Sequence, residues 1–330
     1  MGTDFALPSF EELVESSLVV SLPLKTRFRG VTVREVMLLE GPNGWSEFSP
    51  FTEYGDVEAS TWLKAAIEFG WGSTPAPKRE LIEVNATLPA VAPDKVAAIL
   101  DRFPGCRTVK VKVAEAGQEL DADIQRVKTT REYLGDSGRI RIDANGAWNL
   151  SQAKNALRAL AEFKLEYAEQ PCMTVAELVE IRAYASELGI PIAADESVRK
   201  ASDPLEVARV KAADILVIKA QPSGGINTAR EIVEQAGLPV VVSSALDSSV
   251  GISMGAALAA CLDELPFACG LGTASLFEAD VVEHPLIPVG GQIPSSRIEV
   301  SRSFAKKLQS SPDRQIWWTN RLERCLRLLS

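Results

Sequence analysis

The sequence predicts an α/β fold: a closed parallel (β/α)8-type TIM barrel with a smaller α+β capping domain built from both ends of the chain. Three observations carry this. From about residue 83 to 273 a short β-branched run, a turn and an amphipathic helical stretch recur in the same order, the alternation that builds a parallel sheet under crossover helices. Eight such runs occur at near-even spacing, the number that closes a barrel of this kind. No phosphate-type Gly-rich turn follows an early strand, as an open doubly wound sheet would require.

In order, the strands are expected at 83–88, 108–114, 139–145, 167–171, 191–197, 215–221, 239–245 and 268–273. Helical windows fall between them at 93–103, 120–134, 151–163, 175–188 and 228–236, where apolar residues recur every three to four positions. Ser151 follows a strand end and Asp203 precedes Pro204, both helix start signals. The flanks read differently. Segments 19–22, 25–28 and 31–39 suggest an antiparallel meander, 59–69 a helix, and 304–329 an amphipathic helical tail with Trp317 and Trp318 as packing anchors. Residues 1–82 and 275–330 are therefore expected to form the capping domain, and 83–274 the barrel.

Composition narrows the function classes. The chain has 330 residues, 46% hydrophobic and 24% charged, ordinary for one large domain with a smaller companion. A net charge of −9 argues against nucleic acid and against an anionic membrane surface, which need basic footprints. No apolar run nears the roughly 20 residues of a bilayer span. The early acids Asp4, Glu11 and Glu12 do not suit a secretory leader. Five scattered cysteines without a C-x-x-C pair read as reduced thiols of a cytoplasmic protein. The single histidine, His284, precedes a proline, so neither a His-rich metal site nor a Ser-His-Asp triad is in view.

Reacting groups in such a barrel stand at the C-terminal ends of the strands. There the sequence places Lys112 on strand two, Asp143 on strand three, Glu169 on strand four, Asp195 on strand five and Lys219 on strand six. Side chains alternate faces along a strand. Arg139, Arg141, Asp143 and Asn145 thus share one face, with Ile140 and Ile142 on the other; Lys110 and Lys112 share a face against Val109, Val111 and Val113. Asp195 and Glu196 are adjacent, and the inward place is assigned to Asp195, with Glu196 behind it. Three carboxylates at one mouth repel without a counter-ion. A hard divalent cation, Mg²⁺, answers that charge and keeps positions open for substrate oxygens. A lysine beside a dication has its pKa lowered, which makes a neutral amine base accessible. The set suits removal of a proton next to a carboxylate whose oxygens bind the metal.

Any one of these residues alone is equally well explained as a helix cap or a solvated rim residue. Recurrence once per βα unit is what points to catalysis. Gly270-Leu271-Gly272 at the end of strand eight reads either as a plain turn or as an anion-binding backbone nest. Ser223-Gly224-Gly225 has the same two readings, of which helix initiation is preferred.

Lys110-x-Lys112, Asp143-Ala-Asn145-Gly-Ala-Trp148, Glu169-Gln170-Pro171, Asp195-Glu196-Ser197 and Lys219 resemble the enolase superfamily, muconate-lactonizing enzyme subgroup. The flanking text resembles the o-succinylbenzoate synthase family: Phe28-Arg29-Gly30-Val31, the 44–51 stretch Gly-Trp-Ser-Glu-Phe-Ser-Pro-Phe, Val84-Asn85-Ala86-Thr87, the 243–249 stretch Ser-Ser-Ala-Leu-Asp-Ser-Ser, and Cys269-Gly270-Leu271-Gly272-Thr273. The likeness runs from about residue 18 to 325. It departs from the family in a short loop around 25–30, where selection of the succinyl arm is left unassigned.

What the resemblance implies is a Mg²⁺-dependent hydro-lyase of menaquinone (vitamin K2) biosynthesis. Its reaction is the syn dehydration of 2-succinyl-6-hydroxy-2,4-cyclohexadiene-1-carboxylate to o-succinylbenzoate. Asp143, Glu169 and Asp195 are then the metal ligands. Lys112 takes the α-proton and protonates the departing hydroxyl, while Lys219 stays cationic. Arg141, Asn145, Ser244, Gly270, Leu271 and Gly272 resemble substrate-contacting positions, with Lys110 and Glu196 as supports. The partner is a small molecule, and the protein is expected to be a monomer or weak homo-oligomer. An N-succinylamino acid racemase or dipeptide epimerase of the same superfamily uses the same two lysines; the flanking text, not the mouth, favours dehydration. A non-enzymatic scaffold would be expected to lose a ligand or base, and all five positions are intact.

Overall fold

The computed structural model describes residues 7–28, 30–199 and 203–329; Asp4, and Arg29 of the 28–31 motif, lie outside them. The chain begins with helix α1 (Phe10–Ser16) and the strands β1 (Ser17–Phe28), β2 (Val31–Gly41) and β3 (Gly44–Phe48), which form an antiparallel sheet in that order. Patterning expects two strands where β1 is one. Pro23 brings no ladder donor, and the β1–β2 register breaks between Pro23 and Phe28. The Pro23 carbonyl is used instead by the Glu278 amide, at 2.8 Å. β3 was not expected as a strand because Trp45 to Phe48 are all buried, Ser46 and Glu47 included, so no polar alternation marks it. Helix α2 (Asp56–Trp71) packs on this sheet.

β4 (Leu81–Glu83) pairs with residues 292–294 near the other end of the chain. Strands and helices then alternate: β5 (Ala86–Leu88), α3 (Val96–Leu100), β6 (Thr108–Lys112), α4 (Leu120–Leu134), β7 (Arg139–Asp143), α5 (Leu150–Leu160), β8 (Leu165–Glu169), α6 (Val175–Glu187), β9 (Ile192–Ala194), α7 (Glu196–Arg199), α8 (Glu206–Arg209), β10 (Ile215–Ile218), α9 (Ile226–Ala236), β11 (Val240–Val242) and α10 (Ser249–Cys261). Among the described residues β5 to β11 make one parallel sheet of seven strands in sequential order. Where an eighth strand is expected, only Cys269 and Gly270 pair: Cys269 bridges Val84 and Gly270 bridges Ser243, both in parallel. The curled sheet meets itself through this two-residue segment, after which the chain turns away in a 3₁₀ helix, Thr273–Leu276.

The helix starts follow from local chemistry. Asn149 with Gln152 and Thr174 with Glu177 form reciprocal capping boxes, so Asn149, not Ser151, caps α5. α10 was not among the expected helical windows. It is buried on nearly every side, and a helix without a polar face shows no period.

The chain ends with β12 (Gln292–Pro294), α11 (Arg302–Ala305) and α12 (Pro312–Arg327). α12 packs against α2 and β1, joining the two ends of the chain. Trp318 is fully buried; its ring meets Phe48 edge-to-face at 5.7 Å and its indole N–H donates to Glu35 Oε2 at 2.9 Å. Trp317 is only partly buried, under the guanidinium of Arg314 at 4.3 Å. Arg321 donates to the carbonyls of Phe51 (3.2 Å) and Tyr54 (2.6 Å), fixing the loop between β3 and α2.

Two carboxylates from this part of the chain cap helices of the parallel sheet. Glu68 of α2 accepts the amides of Ile226 (2.6 Å) and Asn227 (3.2 Å) at the start of α9, so Gly225 marks helix initiation. Glu47 of β3 accepts the amides of Ser248 (3.1 Å) and Gly251 (3.0 Å) at the start of α10. A carboxylate there satisfies orphan amides and faces the positive end of the helix. Residue 251 has to be glycine for this approach, since an added Cβ would sit 2.8 Å from Glu47 Cδ.

Two outcomes are expected. Trp318→Ala should lower unfolding free energy by about 3–5 kcal/mol, read from a urea melt with an unchanged slope; a loss under about 1 kcal/mol would contradict the packing. The second concerns Glu47, whose carboxyl is pushed up to about 7 by burial and then by the charge of Asp247. The folded state therefore holds a proton that the unfolded chain has lost between about pH 4.5 and 7. Stability contributed at this residue falls as pH rises through that window and is level above it. The stability of the wild type relative to Glu47→Gln should decline from pH 5 to 7.5; a pH-independent difference would contradict this.

Candidate active site

Alternation along the strands sorts the sheet interior into layers. Tyr167, Ala193, Ile215, Val217 and Val241 form a separate buried cluster inside it, with the partly buried Phe267 packed against them. Two residues beyond Tyr167, Ala193, Val217 and Val241 come Glu169, Asp195, Lys219 and Ser243, on the same face and at the C-terminal ends of their strands. Register does the rest. Lys112 lies opposite Asp143, and Asp143 opposite Glu169, across β6, β7 and β8.

These groups interlock as alternating charges. Lys110 Nζ donates to Glu169 Oε1 (2.9 Å) and Oε2 (3.1 Å) and lies 3.2 Å from Asp143 Oδ2. Lys112 Nζ donates to Asp143 and, at 2.8 Å, to Asn145 Oδ1. Lys219 Nζ donates to Asp195 Oδ2 at 2.5 Å. All six charged groups are buried. Glu196 sits behind them, accepting from Asn145 Nδ2 (3.2 Å) and Arg199 Nη2 (3.0 Å).

Burial and mutual charge pull the titrations apart. Burial alone would raise the Asp143 pKa, but the ammonium groups of Lys112 and Lys110 hold it well below the carboxylate range. Burial likewise opposes ionisation of Asp195, yet Lys219 and Arg199 bring it to about 2. Glu169 is pushed up to about 7 by burial and by Asp143, which together outweigh Lys110. Burial pushes Lys112 down, against the pull of Asp143. Lys110 is driven up by Glu169 and Asp143 in spite of its burial.

The cavity among these groups measures about 30 Å³, room for a water or two. Lys110, Lys112, Asp143, Asn145, Asp195, Lys219, Ser244 and Gly270 are among its lining residues. Two larger hollows, about 490 and 510 Å³, lie elsewhere. One contains His284 and the other Arg314 and Trp317, and neither gathers a comparable set of buried charges.

Five of the residues singled out from sequence do not line the cavity: Glu169, held by Lys110; Glu196, behind Asn145; and Arg141, Leu271 and Gly272. Arg141 is fully buried one layer below. It donates to Glu166 (2.5 Å), the Ala268 carbonyl (2.7 Å) and Asn85 (3.1 Å), and stacks over Tyr167. Leu271 faces α10, where a Cβ on Gly255 would touch it at 2.6 Å. Gly272 lies against Phe103 and the Asn85 carbonyl. The Gly270 amide is spent on the Val242 carbonyl at 2.8 Å, which removes one donor from the nest reading of 270–272.

Seven other cavity residues, Phe28, Phe51, Thr87, Ser243, Ala245, Leu246 and Thr273, fall within the stretches that carry the family resemblance but had been given no site role. Strand parity from Val241 would have found Ser243. Phe28 and Phe51 come from the β1–β3 region, and no periodicity in that region points toward the parallel sheet.

Among the described residues no three Asp, Glu, His or Cys groups stand close enough to hold a metal as placed; lysine ammonium groups separate the carboxylates. The donor set nonetheless fits a hard dication, since it is all carboxylate oxygen. Asp195 Oδ1, ion-paired with Arg199 Nε at 3.3 Å, and Glu196 Oε2 are both buried without a hydrogen bond, which leaves each oxygen with lone pairs free for a cation.

Comparison with known proteins places the chain among relatives. Residues 95–297 match the family described as enolase C-terminal domain-like, and residues 19–70 the one described as enolase N-terminal domain-like. The o-succinylbenzoate synthase of Mycobacterium tuberculosis is 50% identical over 324 residues, covering 98% of this chain and 97% of that protein. The o-succinylbenzoate synthase of Thermobifida fusca is 52% identical over 295 residues, 88% of this chain and 91% of that one. Among solved structures, muconate lactonizing enzyme from Pseudomonas fluorescens complexed with muconolactone superposes with a TM-score of 0.75 at 20% identity, covering 89% of this chain and 98% of that one. The L-Ala-D/L-Glu epimerase from Bacillus subtilis superposes with a TM-score of 0.73 at 21% identity, covering 86% and 98%. At such identities the structures speak for the fold alone. Half-identity over nearly the whole of both chains speaks for more, and on that ground the chain belongs to the o-succinylbenzoate synthase family of the enolase superfamily.

Proposed function

We propose that this chain is a Mg²⁺-dependent lyase that converts 2-succinyl-6-hydroxy-2,4-cyclohexadiene-1-carboxylate to o-succinylbenzoate in menaquinone biosynthesis, acting in the cytoplasm as a monomer or weak homo-oligomer. One observation carries the reading: buried lysines at the ends of β6 and β10 flank three carboxylates at the ends of β7 and β8 and just past β9. Residues 83–274 are read as a (β/α)8 barrel, with 1–82 and 275–330 as its cap.

Asp143, Glu169 and Asp195 would hold Mg²⁺, whose charge lowers the cost of removing a proton beside a carboxylate bound to it. The lysines do the rest. Lys112 as a neutral amine takes the α-proton, and the resulting ammonium returns it to the departing hydroxyl, so that water leaves and the ring becomes aromatic. Asn145 orients Lys112 through its 2.8 Å hydrogen bond. Lys219 remains an ammonium and offsets the negative charge that builds up between the two steps. Both lysine arms fill the mouth, and admitting a substrate requires them to swing from their carboxylates. Ser244 and Gly270, which line the same cavity, would receive the succinyl arm, and Arg141 braces the floor below Asp143.

Ultraviolet absorbance follows the ring as it aromatises. Lys112→Ala should lower kcat/KM by roughly 10²–10⁴-fold and abolish exchange of the α-proton with solvent deuterium. Lys219→Arg keeps the charge while supplying no base at neutral pH, and should retain measurable dehydration. Equal loss in both variants, with fold and metal binding intact, would overturn the one-base scheme. Racemisation of N-succinylamino acids outpacing dehydration would overturn the proposed substrate.

A further inference from the structure

Arg34 of β2 is a buried cation, 2% exposed, set between the two parts of the molecule. Its Nε donates to the Leu246 carbonyl at 3.2 Å, its Nη2 donates to the Ser49 carbonyl, and its guanidinium lies 4.2 Å from the centre of the Phe51 ring. Burial works against its charge, and the neighbouring carboxyls of Asp247 and Glu47 offset part of that cost. Leu246 and Phe51 both line the cavity, one on the loop after β11 and the other on the loop after β3. Leu246 is held at φ +63°, a left-handed conformation uncommon for a leucine, which persists only where the surroundings enforce it. Asp247 folds back on the same loop, its Oδ2 accepting the Ala245 amide at 3.2 Å.

We propose that Arg34 is a positioning residue: its guanidinium fork fixes the Leu246 backbone and the Phe51 ring as one wall of the cavity, and so sets how tightly substrate is held without touching the reacting atoms. A planar fork reaches a carbonyl on each side while stacking on a ring, and a lysine ammonium cannot. The kinetic part of this inference rests on the dehydratase reading; the loop geometry does not.

The decisive variant is Arg34→Lys, which keeps the charge facing Asp247 and Glu47 and loses the fork. Dehydration kinetics, melting temperature and hydrogen exchange are measured for the wild type, Arg34→Lys and Arg34→Met. Arg34→Lys should melt near the wild type, raise KM roughly three- to tenfold, the worth of one positioning hydrogen bond, and leave kcat within about twofold. Amides 244–248 should exchange faster while those of β6 to β8 stay as they were. Arg34→Met should show the same pattern more strongly, and if it does not fold, Arg34→Lys decides alone. Unchanged KM in a folded variant, or a lowered melting temperature with KM and kcat unchanged, would overturn the proposal. Should the wild type fail to convert the diene, the function fails first; unchanged exchange at 244–248 in Arg34→Lys would then overturn the loop claim independently.

Discussion

Burying a carboxylate costs several kcal/mol unless opposite charge is buried with it. Asp143, Glu169 and Asp195 are buried together at one end of a single parallel sheet. Everything near them answers that cost. Lys110 stands between Glu169 and Asp143, Lys112 against Asp143, and Lys219 against Asp195. Two residues earlier on the interior, Tyr167, Ala193 and Val217 pack below Glu169, Asp195 and Lys219, and Arg141, paired with Glu166, lies below Asp143. Above this packed floor the charges gather at the mouth.

Closure comes from the opposite ends of the sequence. β1 to β3, α2 and α12 pack around Trp318 and Phe48, their apolar core is continuous with that of the parallel sheet, and directional polar contacts are added to it. Glu68 and Glu47 reach across to cap α9 and α10, and Arg34 reaches Leu246. A carboxylate at a helix start and a guanidinium on a carbonyl are directional, so they set the angle of one part on the other as apolar contact alone would not. Phe28 and Phe51 are thereby brought over the lysines, Phe28 at 5.4 Å from Lys112 Nζ.

Much of this was legible in the sequence. Asp143, Glu169, Asp195 and the two lysines could be read because a charged residue ends one strand after another, and side-chain alternation assigned their face. The α4, α5 and α6 windows were legible because each keeps a polar side. α10 was not, since it is buried all round, and neither was β3, whose buried Ser46 and Glu47 break the alternation of a half-exposed strand. Sequence also places Arg141 on the same face as Asp143, which is correct, but face does not give depth: Arg141 lies one layer down, tied to Glu166 and Ala268. Phe28 and Phe51 stand in stretches that carry the family resemblance, but their place at the mouth, like that of Arg34, depends on contacts between segments far apart in the chain, and no local pattern records those.

Titration calorimetry with Mg²⁺ tests the central claim most directly, that the three buried carboxylates form one cation site inside the ring of lysines. One site per chain is expected in the wild type, weakened roughly tenfold or more in each of Asp143→Asn, Glu169→Gln and Asp195→Asn while the proteins stay folded. Equal Mg²⁺ affinity in the wild type and all three variants, or no binding to any of them, would contradict it.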